Sequence, residues 1–464
     1  MENNTGPAPW PLRRPLAWLL PVTVLAYLNA LTAGFQFDDF NIIVDNPQVH
    51  SLAAWWQQMP GIRPLLKLSY TLNWGSGFGA PGFHAVNLLL HLLNVALLWH
   101  LSAFFPLPAE SKRSLFARLL ATLLFALHPI QTEAVTYVSG RSMLLMASFG
   151  LAALWCWLAA GQRAQPSVWR ALAWLLFAAA ILSKEVAVVL PLALLLLPGN
   201  APRQRALLAL FVTAALLALF FLFGYQRLLT TPLPRGLLAN LASETNALYY
   251  LLGQLWRPHA LNIDPDLPEL AAWSRLLAAQ TAGLAGVAIL AWTQRRQRPW
   301  LSFGIGWFLL LLLPTHSLIP RPDLASERHL YLSGIGLFWL AGAALAAARL
   351  PRLSELYNSA GAALIALLTL TGAAFTANRN QDYRDEVSLW RATARLSPHK
   401  ARVWNNLGYA HALAGQAQPA RAAFRQALAL DPGHARSLAN LRDLDAGRLG
   451  PAAPISTTQP GSTP

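Results

Sequence analysis

Residues 16–41 read LAWLLPVTVLAYLNALTAGFQFDDFN, an apolar run that ends in two adjacent carboxylates, Asp38 and Asp39. A run of about 20 apolar residues is long enough to cross a bilayer as a helix. Acidic side chains beside lipid are costly and usually serve a function. The segment therefore predicts a membrane-spanning helix that carries a carboxylate pair to one face of the membrane.

The whole chain has the composition of a polytopic membrane protein. Of its 464 residues, 55% are hydrophobic and 12% are charged, and the mean hydropathy is +0.39. The net charge of +15 does not indicate nucleic-acid binding, because the basic residues form short clusters between apolar runs. The single cysteine, Cys156, excludes an intramolecular disulfide and a cysteine metal cluster.

Eleven apolar runs predict eleven membrane-spanning helices. The runs lie near residues 16–34, 84–104, 115–128, 143–160, 168–183, 186–198, 206–224, 271–293, 299–318, 329–348 and 357–377. The runs 168–183 and 186–198 are short and also fit one broken hairpin. The first run lacks a small-residue cleavage site, so we expect an uncleaved anchor after a flexible cytoplasmic arm, residues 1–15.

With these spans, the main basic clusters all fall on one side, which the positive-inside rule identifies as the cytoplasm. The clusters are Arg13/Arg14, Lys112/Arg113/Arg118, Arg163/Arg170, Arg203/Arg205, Arg295/Arg296/Arg298 and Arg349/Arg352. The other side receives most acids and the long connections 35–83, 225–270 and 315–328. Long loops are usually functional, so we expect an external working face, with the carboxy-terminal segment also outside.

Three further segments bear on the topology. Residues 52–59 and 63–74 in the first external loop are amphipathic, which predicts helices along the membrane surface. The apolar segment 246–256 is assigned to the interface or to a re-entrant helix, because counting it as a span would place the Arg295 cluster outside. In the second span, His84, His91 and Asn94 lie nearly on one helical face and predict interhelical hydrogen bonds.

After the last span, a short helical repeat begins. Residues 401–434 match the tetratricopeptide (TPR) pattern, with His411 where tyrosine is usual. The matching positions are Trp404, Leu407, Gly408, Ala420, Phe424, Ala427 and Pro432. Residues 386–398 resemble a preceding repeat's second helix, and 435–444 fit a capping helix. We expect a membrane domain over 16–378, a TPR module over 379–449 and a disordered tail over 450–464.

Four motifs occur in the order seen in one known family. They are Phe37-Asp38-Asp39, His128-Pro129-Ile130-Gln131-Thr132-Glu133-Ala134-Val135 with Gly140-Arg141, Ser183-Lys184-Glu185, and Glu327-Arg328-His329-Leu330-Tyr331-Leu332. With the carboxy-terminal repeat, they make the chain resemble the transmembrane and tetratricopeptide-repeat (TMTC-like) O-mannosyltransferases. That family carries long repeat arrays, whereas this chain has about one and a half repeats.

The resemblance implies an all-α polytopic fold of the GT-C glycosyltransferase type, with about 11 transmembrane helices and a small carboxy-terminal TPR α-hairpin module. It also implies a sugar donor linked to polyprenyl phosphate and transfer on the external face. The residues support this chemistry independently. Such a donor needs an apolar groove, cations at headgroup depth and a carboxylate near the acceptor, and the chain offers all three.

For the acid pair, we expect a carboxylate to act as general base on an acceptor hydroxyl. The resemblance places that acid in the first external loop. Asp39 is the preferred base, and Asp38 orients the acceptor or helps to bind a divalent cation. The structural alternative is an N-cap for the helix that follows the loop.

The second motif offers contacts to the donor. His128 and Glu133 are candidate ligands of the substrate or of a divalent metal ion, and Arg141 is a candidate phosphate ligand through its planar guanidinium. No tight ligand spacing identifies a metal site. In the structural alternative, Pro129 ends a span, and Glu133 and Arg141 form a salt bridge.

Three more cations are candidate ligands of the donor phosphate. Lys184 lies between two short apolar runs, and its structural alternative is a snorkelling lysine paired with Glu185. Arg328 and Arg321 precede the tenth span, where they concentrate positive charge at the external interface.

The sequence therefore predicts an inverting glycosyltransferase that modifies Ser or Thr hydroxyls of a protein. The acceptor would be engaged by the TPR module. The short loops, basic chain and small repeat module favour a bacterial inner membrane with a periplasmic active face, and the alternative is the lumen of a eukaryotic endoplasmic reticulum. Two alternatives remain open: transfer to lipid or surface polysaccharide, and a non-catalytic TPR scaffold in the membrane.

Overall fold

The computed structural model describes residues 14–57, 61–108, 112–197, 202–226, 235–316, 320–348 and 361–451. Within these ranges the chain forms helices and turns and no β-strand, which confirms the all-α polytopic fold. Arg13, Arg349, Arg352, most of the predicted arm and nearly all of the predicted tail lie outside the described residues. The chain divides into two compact units between Tyr383 and Arg384, and the second unit also includes Asn262–Asp266.

The first unit contains fourteen α-helices among its described residues. They are α1 Pro15–Tyr27, α2 Leu52–Gln57, α3 Pro64–Gly75, α4 Gly79–Leu101, α5 Lys112–Leu127, α6 Thr132–Val135, α7 Arg141–Ala159, α8 Pro166–Ser183, α9 Pro202–Leu222, α10 Leu237–Gln254, α11 Arg275–Gln294, α12 Pro299–Leu312, α13 Leu330–Ala347 and α14 Gly361–Asp382. A 3₁₀ helix, Glu185–Leu196, follows α8. The segments predicted to be amphipathic in the first loop form α2 and α3.

Each predicted span overlaps an apolar helix. By length and composition, eight helices of the described chain can cross a membrane, and a ninth is added if α5 and the following Pro129–Val135 segment, bent by 50°, form one span. Glu185–Leu196 and Pro299–Leu312 are shorter apolar helices. Between α8 and Glu185–Leu196 the chain breaks at Lys184, whose backbone is extended. The count of eleven crossings stays a prediction.

Burial separates the centre of this unit from its periphery. The apolar windows that include α7 and α13 are 78% and 67% buried, whereas those of α9 and α11 are 6% and 11% buried. Several polar side chains at the centre hydrogen-bond across helices, because a membrane interior offers no water to satisfy them. The Tyr331 hydroxyl lies 2.8 Å from His91 Nδ1 and accepts a hydrogen bond from Asn94 Nδ2 at 3.0 Å. These contacts confirm the interhelical role predicted for His91 and Asn94.

Among its described residues, the second unit contains four helices: α15 Glu386–Leu396, α16 Ala401–Leu413, α17 Ala417–Leu430 and α18 Ala435–Asp445. The predicted packing positions Leu407, Gly408, Ala420, Phe424 and Ala427 are buried. A Cβ on Gly408 would lie 2.6 Å from the Phe424 ring, so this position needs glycine. Trp404 and Pro432 lie at the edge: Trp404 Nε1 donates to the Pro398 carbonyl at 2.8 Å, and Pro432 follows the end of α17.

A short acidic segment, Asn262–Asp266, belongs to this second unit. Asp264 is 6% exposed, and its carboxylate accepts hydrogen bonds from Lys400 at 2.6 Å and from two nitrogens of Arg402 at 2.5 and 2.9 Å. Asn262 Nδ2 donates to Ser397 Oγ at 2.7 Å. One repeat cannot bury its own apolar face, and this unit gains ion pairs to the buried Asp264 from a segment far away in sequence.

Close backbone contact between α12 and α13 gives a prediction. A Cβ on Gly336 would overlap the Gly304 carbonyl oxygen and would lie 3.0 Å from the Phe308 backbone nitrogen. Gly336→Ala should therefore lower the apparent melting temperature, because forcing the helices apart costs about 1–3 kcal/mol. The measurement is thermal unfolding of the purified full chain in detergent.

The matched control is Gly334→Ala on the same helix. Its added Cβ meets only the Phe338 ring at an ordinary 3.5 Å, and alanine favours the helix by up to about 1 kcal/mol. Equal melting temperatures for the two variants would contradict the close contact.

Candidate functional site

The loop after α1 turns sharply at the acid pair. Phe37 has a φ of 48°, in the left-handed region that residues other than glycine rarely adopt. Strained backbone of this kind persists where surrounding contacts hold it, often at functional sites. The turn gives the two neighbouring carboxylates different surroundings.

Asp39 points inward and is 1% exposed. Its Oδ1 accepts hydrogen bonds from the Ser139 backbone N–H at 2.8 Å and from the Ser139 hydroxyl at 2.5 Å, and its Oδ2 accepts one from the Gln36 N–H at 3.0 Å. Asp39 precedes the helical turn Phe40–Val44, but its side chain makes no capping hydrogen bond there. For Asp39 the N-cap alternative is therefore wrong: the carboxylate fastens the loop to the segment before α7.

Burial raises the pKa of the Asp39 carboxyl to about 7. The hydrogen bonds from Ser139 and Gln36 act in the opposite direction and are outweighed, and the neighbouring Asp38 raises the pKa a little further. A carboxyl held in this way changes its protonation near neutral pH, unlike an ordinary aspartate.

Asp38 is partly exposed, and its backbone N–H donates to the Tyr137 hydroxyl at 3.0 Å. Arg328 interacts electrostatically with both Asp38 and Tyr137. Of the two carboxylates, Asp38 is thus the one that an external hydroxyl can approach. This arrangement favours the reverse of the expected order, in which Asp39 was the preferred base.

Glu133 links the second motif to the fourth. The carboxylate is 1% exposed and accepts hydrogen bonds from the Ser326 hydroxyl at 2.5 Å and from the Arg328 N–H at 3.0 Å. Arg328 Nε lies 3.4 Å from the same carboxylate. The salt bridge considered between Glu133 and Arg141 is therefore wrong, because the ion-pair partner of Glu133 is Arg328.

His128 lies at the bend between α5 and the short segment that carries Glu133. Its Nδ1 accepts a hydrogen bond from the Ile130 N–H at 3.1 Å, and its Nε2 lies 3.1 Å from the Leu255 carbonyl oxygen. Both ring nitrogens thus have backbone partners. This geometry favours a role in holding the bend over direct contact with a substrate or metal ion.

Arg141 is fully buried at the start of α7. Its guanidinium donates to the side-chain oxygens of Asn87 and Asn73, each at 2.8 Å, and to the Phe83 carbonyl at 2.9 Å. It also lies 5.0 Å from the centre of the Tyr70 ring. The guanidinium is thus already occupied by neutral acceptors of the protein, which favours a positioning role over the predicted contact with phosphate.

Four other cations, here called the cationic cluster, interact electrostatically with one another. They are Arg63, Lys184, Arg321 and Arg328. Arg63 was not among the sequence candidates, although it is a cation in a loop predicted to be external and therefore departs from the positive-inside pattern. Its φ of 57° is a second left-handed position outside glycine.

Arg63 and Glu185 form a two-point ion pair. Arg63 Nε and Nη2 donate to the two carboxylate oxygens of Glu185 at 2.8 and 2.6 Å, and the Tyr225 hydroxyl also hydrogen-bonds Glu185. The alternative that paired Lys184 with Glu185 is therefore wrong. The loop between α2 and α3 is thus tied to the break after α8, where Lys184 lies.

Lys184 is 5% exposed, and its Nζ lies 3.4 Å from the Ser142 hydroxyl. Among the described residues, no carboxylate lies within salt-bridge distance of Lys184 or Arg321. Burial, reinforced by the neighbouring arginines, lowers the pKa of Lys184 well below its ordinary value. Burial likewise lowers the pKa of Arg321. An anion bound here would favour the charged form of both groups.

The described residues contain no group of three His, Cys, Asp or Glu side chains arranged to hold a metal ion. They do contain a groove of about 320 Å³ whose lining is almost entirely apolar, between α5, α13 and α14. Its wall includes Pro129, Trp256 and Phe338. Chemically, the site combines an accessible carboxylate, two cations able to take an anion, and an apolar groove beside the segment that carries Glu133.

The chain is similar in sequence to several known proteins. Residues 401–434 match the family model for the tetratricopeptide repeat. The chain is 30% identical to protein O-mannosyl-transferase Tmtc2 of Drosophila melanogaster over 324 residues, which cover 58% of this chain and 33% of that protein. It is 25% identical to protein O-mannosyl-transferase F38B6.6 of Caenorhabditis elegans over 463 residues, which cover 91% of this chain and 63% of that protein. It is 24% identical to protein O-mannosyl-transferase TMTC3 of Homo sapiens over 458 residues, which cover 84% of this chain and 48% of that protein.

These matches confirm the resemblance drawn from the motifs. The matched part of each relative is less than two thirds of its length, from 33% to 63% in the three just described. No solved structure matches the chain significantly.

The buried carboxyl of Asp39 predicts a pH effect on stability. Its pKa is raised to about 7 in the folded protein, against about 3.9 in an unfolded chain. The folded state therefore holds this proton more tightly, and the resulting stability is complete below about pH 4 and is lost as the pH rises to about 7. The lost contribution is on the order of 1–4 kcal/mol.

Thermal unfolding of the full chain between about pH 4 and about pH 7 measures this effect. Asp39→Asn, which is neutral throughout, should show a smaller fall in apparent melting temperature than the wild type. Asp45→Asn removes an exposed acid from the same loop and should keep the wild-type slope. An unchanged slope in Asp39→Asn would contradict the assignment.

Proposed function

We propose, on the premise that this chain is a TMTC-like protein, that it is a membrane glycosyltransferase that moves mannose from a polyprenyl-phosphate donor to Ser or Thr hydroxyls of proteins. The observation that carries the proposal is the accessible carboxylate of Asp38 linked through Tyr137 and Arg328 to a cationic cluster. The names of the relatives, all protein O-mannosyl-transferases, support the reaction class.

The donor phosphate would bind the cationic cluster. Arg63 and Arg328 are each paired with a carboxylate, Glu185 and Glu133, whereas Lys184 and Arg321 carry charge that no described carboxylate pairs directly. Two cations without a direct carboxylate partner suit a phosphate diester, whose single negative charge is flanked by several acceptor oxygens. The apolar groove beside Pro129 would hold part of the lipid chain.

In the proposed reaction, Asp38 takes the proton of the acceptor hydroxyl as the hydroxyl oxygen attacks the anomeric carbon. The bond between that carbon and the phosphate oxygen breaks, and the oxygen leaves with the electron pair. The cationic cluster stabilises the negative charge that gathers there. A single displacement inverts the anomeric centre. Asp39, bonded to Ser139, holds Asp38 in place.

We place the site on the external face, in agreement with the distribution of basic residues. Short loops and a small repeat unit favour a bacterial inner membrane with a periplasmic site, although the relatives named above come from animals. The repeat unit would present an extended segment of the acceptor protein, as helical repeats commonly do.

Glycopeptide mass spectrometry of envelope proteins tests the reaction. Cells would carry the wild type, Asp38→Asn, Asp45→Asn or no protein. A hexose-sized modification is expected with the wild type and Asp45→Asn and should be absent otherwise. With purified protein, Asp38→Asn should lower kcat by about 10²–10⁴-fold and leave donor KM nearly unchanged. A modified polysaccharide with unmodified proteins would favour a polysaccharide acceptor, and identical profiles in all strains would favour the scaffold.

Arg321 provides a separate test of the phosphate site. Arg321→Gln should weaken donor binding by roughly 10- to 100-fold, the usual effect of losing a hydrogen bond to a charged group. Arg257→Gln removes an exposed arginine that follows α10 and whose side chain donates to the Gly253 carbonyl, and it should leave binding unchanged. Equal affinities in the two variants would remove Arg321 from the site.

A further inference from the structure

A buried series of three hydrogen-bonded side chains lies next to the cationic cluster. Glu244 on α10 has its Oε2 2.8 Å from Nδ1 of His316, which follows α12, and His316 Nε2 lies 2.9 Å from Nδ1 of His329. The Glu244 and His316 side chains are 4% and 1% exposed, and His329 is 7% exposed. A carboxylate and two imidazoles buried in series are costly unless they serve a function.

The Glu244 end of this series is held by an ion pair. Arg235 Nη2 lies 3.4 Å from Glu244 Oε1, and Arg235 also bonds Asn240 Oδ1 at 3.1 Å and Glu269 at 3.3 Å. Glu244 therefore has a cation on one oxygen and a histidine on the other. These contacts favour the ionised carboxylate, which can only accept hydrogen bonds.

The near end faces the cationic cluster. Three cations of the cluster, Lys184, Arg321 and Arg328, interact electrostatically with His329. His329 Nε2 makes no hydrogen bond within the described part of the chain, and the ring lines a small cavity with Met143 and Val186. His329 directly follows Arg328, so this histidine lies beside the cationic cluster.

The order of hydrogen-bond donors and acceptors in this series depends on whether the two histidines carry one added proton. Because Glu244 accepts, His316 Nδ1 carries a hydrogen. Without an added proton, His316 Nε2 is an acceptor, His329 Nδ1 donates to it, and His329 Nε2 presents a lone pair. With one added proton, His316 donates from both nitrogens, His329 Nδ1 accepts, and His329 Nε2 carries a hydrogen.

The added charge would then reside on His316, next to Glu244, and not on the ring beside the cationic cluster. Protonation thus changes His329 Nε2 from an acceptor, which repels a phosphate oxygen, into a donor, which binds one. The charged groups around the two histidines are Glu244 and Arg235 on one side and Lys184, Arg321 and Arg328 on the other.

We propose that His329, oriented by His316 and Glu244, is a phosphate-binding residue, and that the pair takes up one proton from solvent when the phosphate binds and returns it when the phosphate leaves. This inference rests on the proposed function, because it assigns a further contact to the same phosphate. A purely structural role, holding α10 to the end of α12, would not couple binding to a proton.

The test measures binding of a short prenyl methyl phosphate diester to the purified full chain in nanodiscs. A diester keeps one negative charge between about pH 5.5 and about pH 8.5, whereas a phosphate monoester titrates near pH 6. Histidine changes charge within the same range. The wild-type dissociation constant should rise towards about tenfold per pH unit above the titration of the pair, the slope for one linked proton.

His316→Gln should bind the diester with a shallower pH dependence than the wild type, because glutamine takes up no proton while Lys184 and Asp39 can still titrate. Glu244→Gln is the second variant and should move the loss of affinity to lower pH, because the charge on His316 loses its partner. The matched control is His91→Gln, another fully buried histidine with both ring nitrogens in hydrogen bonds. It should keep the wild-type slope.

Wild-type binding that does not depend on pH, or a wild-type slope in His316→Gln, overturns this inference and leaves the proposed donor intact. Failure of the wild type to bind the diester at any pH overturns the proposed donor class, and this inference with it. If Glu244→Gln loses affinity at the same pH as the wild type, Glu244 is not coupled to the two histidines. That result overturns the inference as stated.

Discussion

The hydrogen bonds to the buried carboxylate of Glu133 are the interactions on which the rest of the site depends. The carboxylate accepts hydrogen bonds from both a side chain and the backbone of the segment before α13, at Ser326 and Arg328. A buried carboxylate without partners is strongly unfavourable, so this contact joins the bend after α5 to the start of α13. Arg328 is thereby directed towards Tyr137 and Asp38, and the cationic cluster is assembled around it.

Much of the fold can be predicted from local sequence pattern. Membrane helices appear as runs of apolar residues, and helical repeats appear as large and small residues at fixed short spacings. The apolar runs predict the helices, and the spacing of Trp404, Gly408 and Phe424 predicts the α16–α17 hairpin. The site motifs also lie near the ends of their helices, as predicted from the sequence. Arg328 and Lys184 could be named as candidates because a cation at the end of an apolar run is conspicuous.

The sequence could not show which partners meet across the loops. Arg63 pairs with Glu185, 122 residues away, and Asp264 pairs with Lys400 and Arg402. Neither pairing leaves a local period. Asp38 and Asp39 are equivalent by composition, and only the left-handed turn at Phe37 and the hydrogen bonds from Ser139 separate them. Arg141 illustrates the opposite error, because its acceptors, Asn73, Asn87 and the Phe83 carbonyl, are neutral groups that no charge pattern reveals.

The 3₁₀ helix Glu185–Leu196 extends for 12 residues, although such helices usually stop after three or four. Because a 3₁₀ helix rises about 2.0 Å per residue and an α-helix about 1.5 Å, this segment is about 6 Å longer than its α-helical equivalent. The stretched geometry acts as a spacer. The greater length lets a short apolar segment keep Lys184 and Glu185 at the same depth as the residues that they contact. If the segment shortened to α-helical pitch, one of its ends would move away from its contacts.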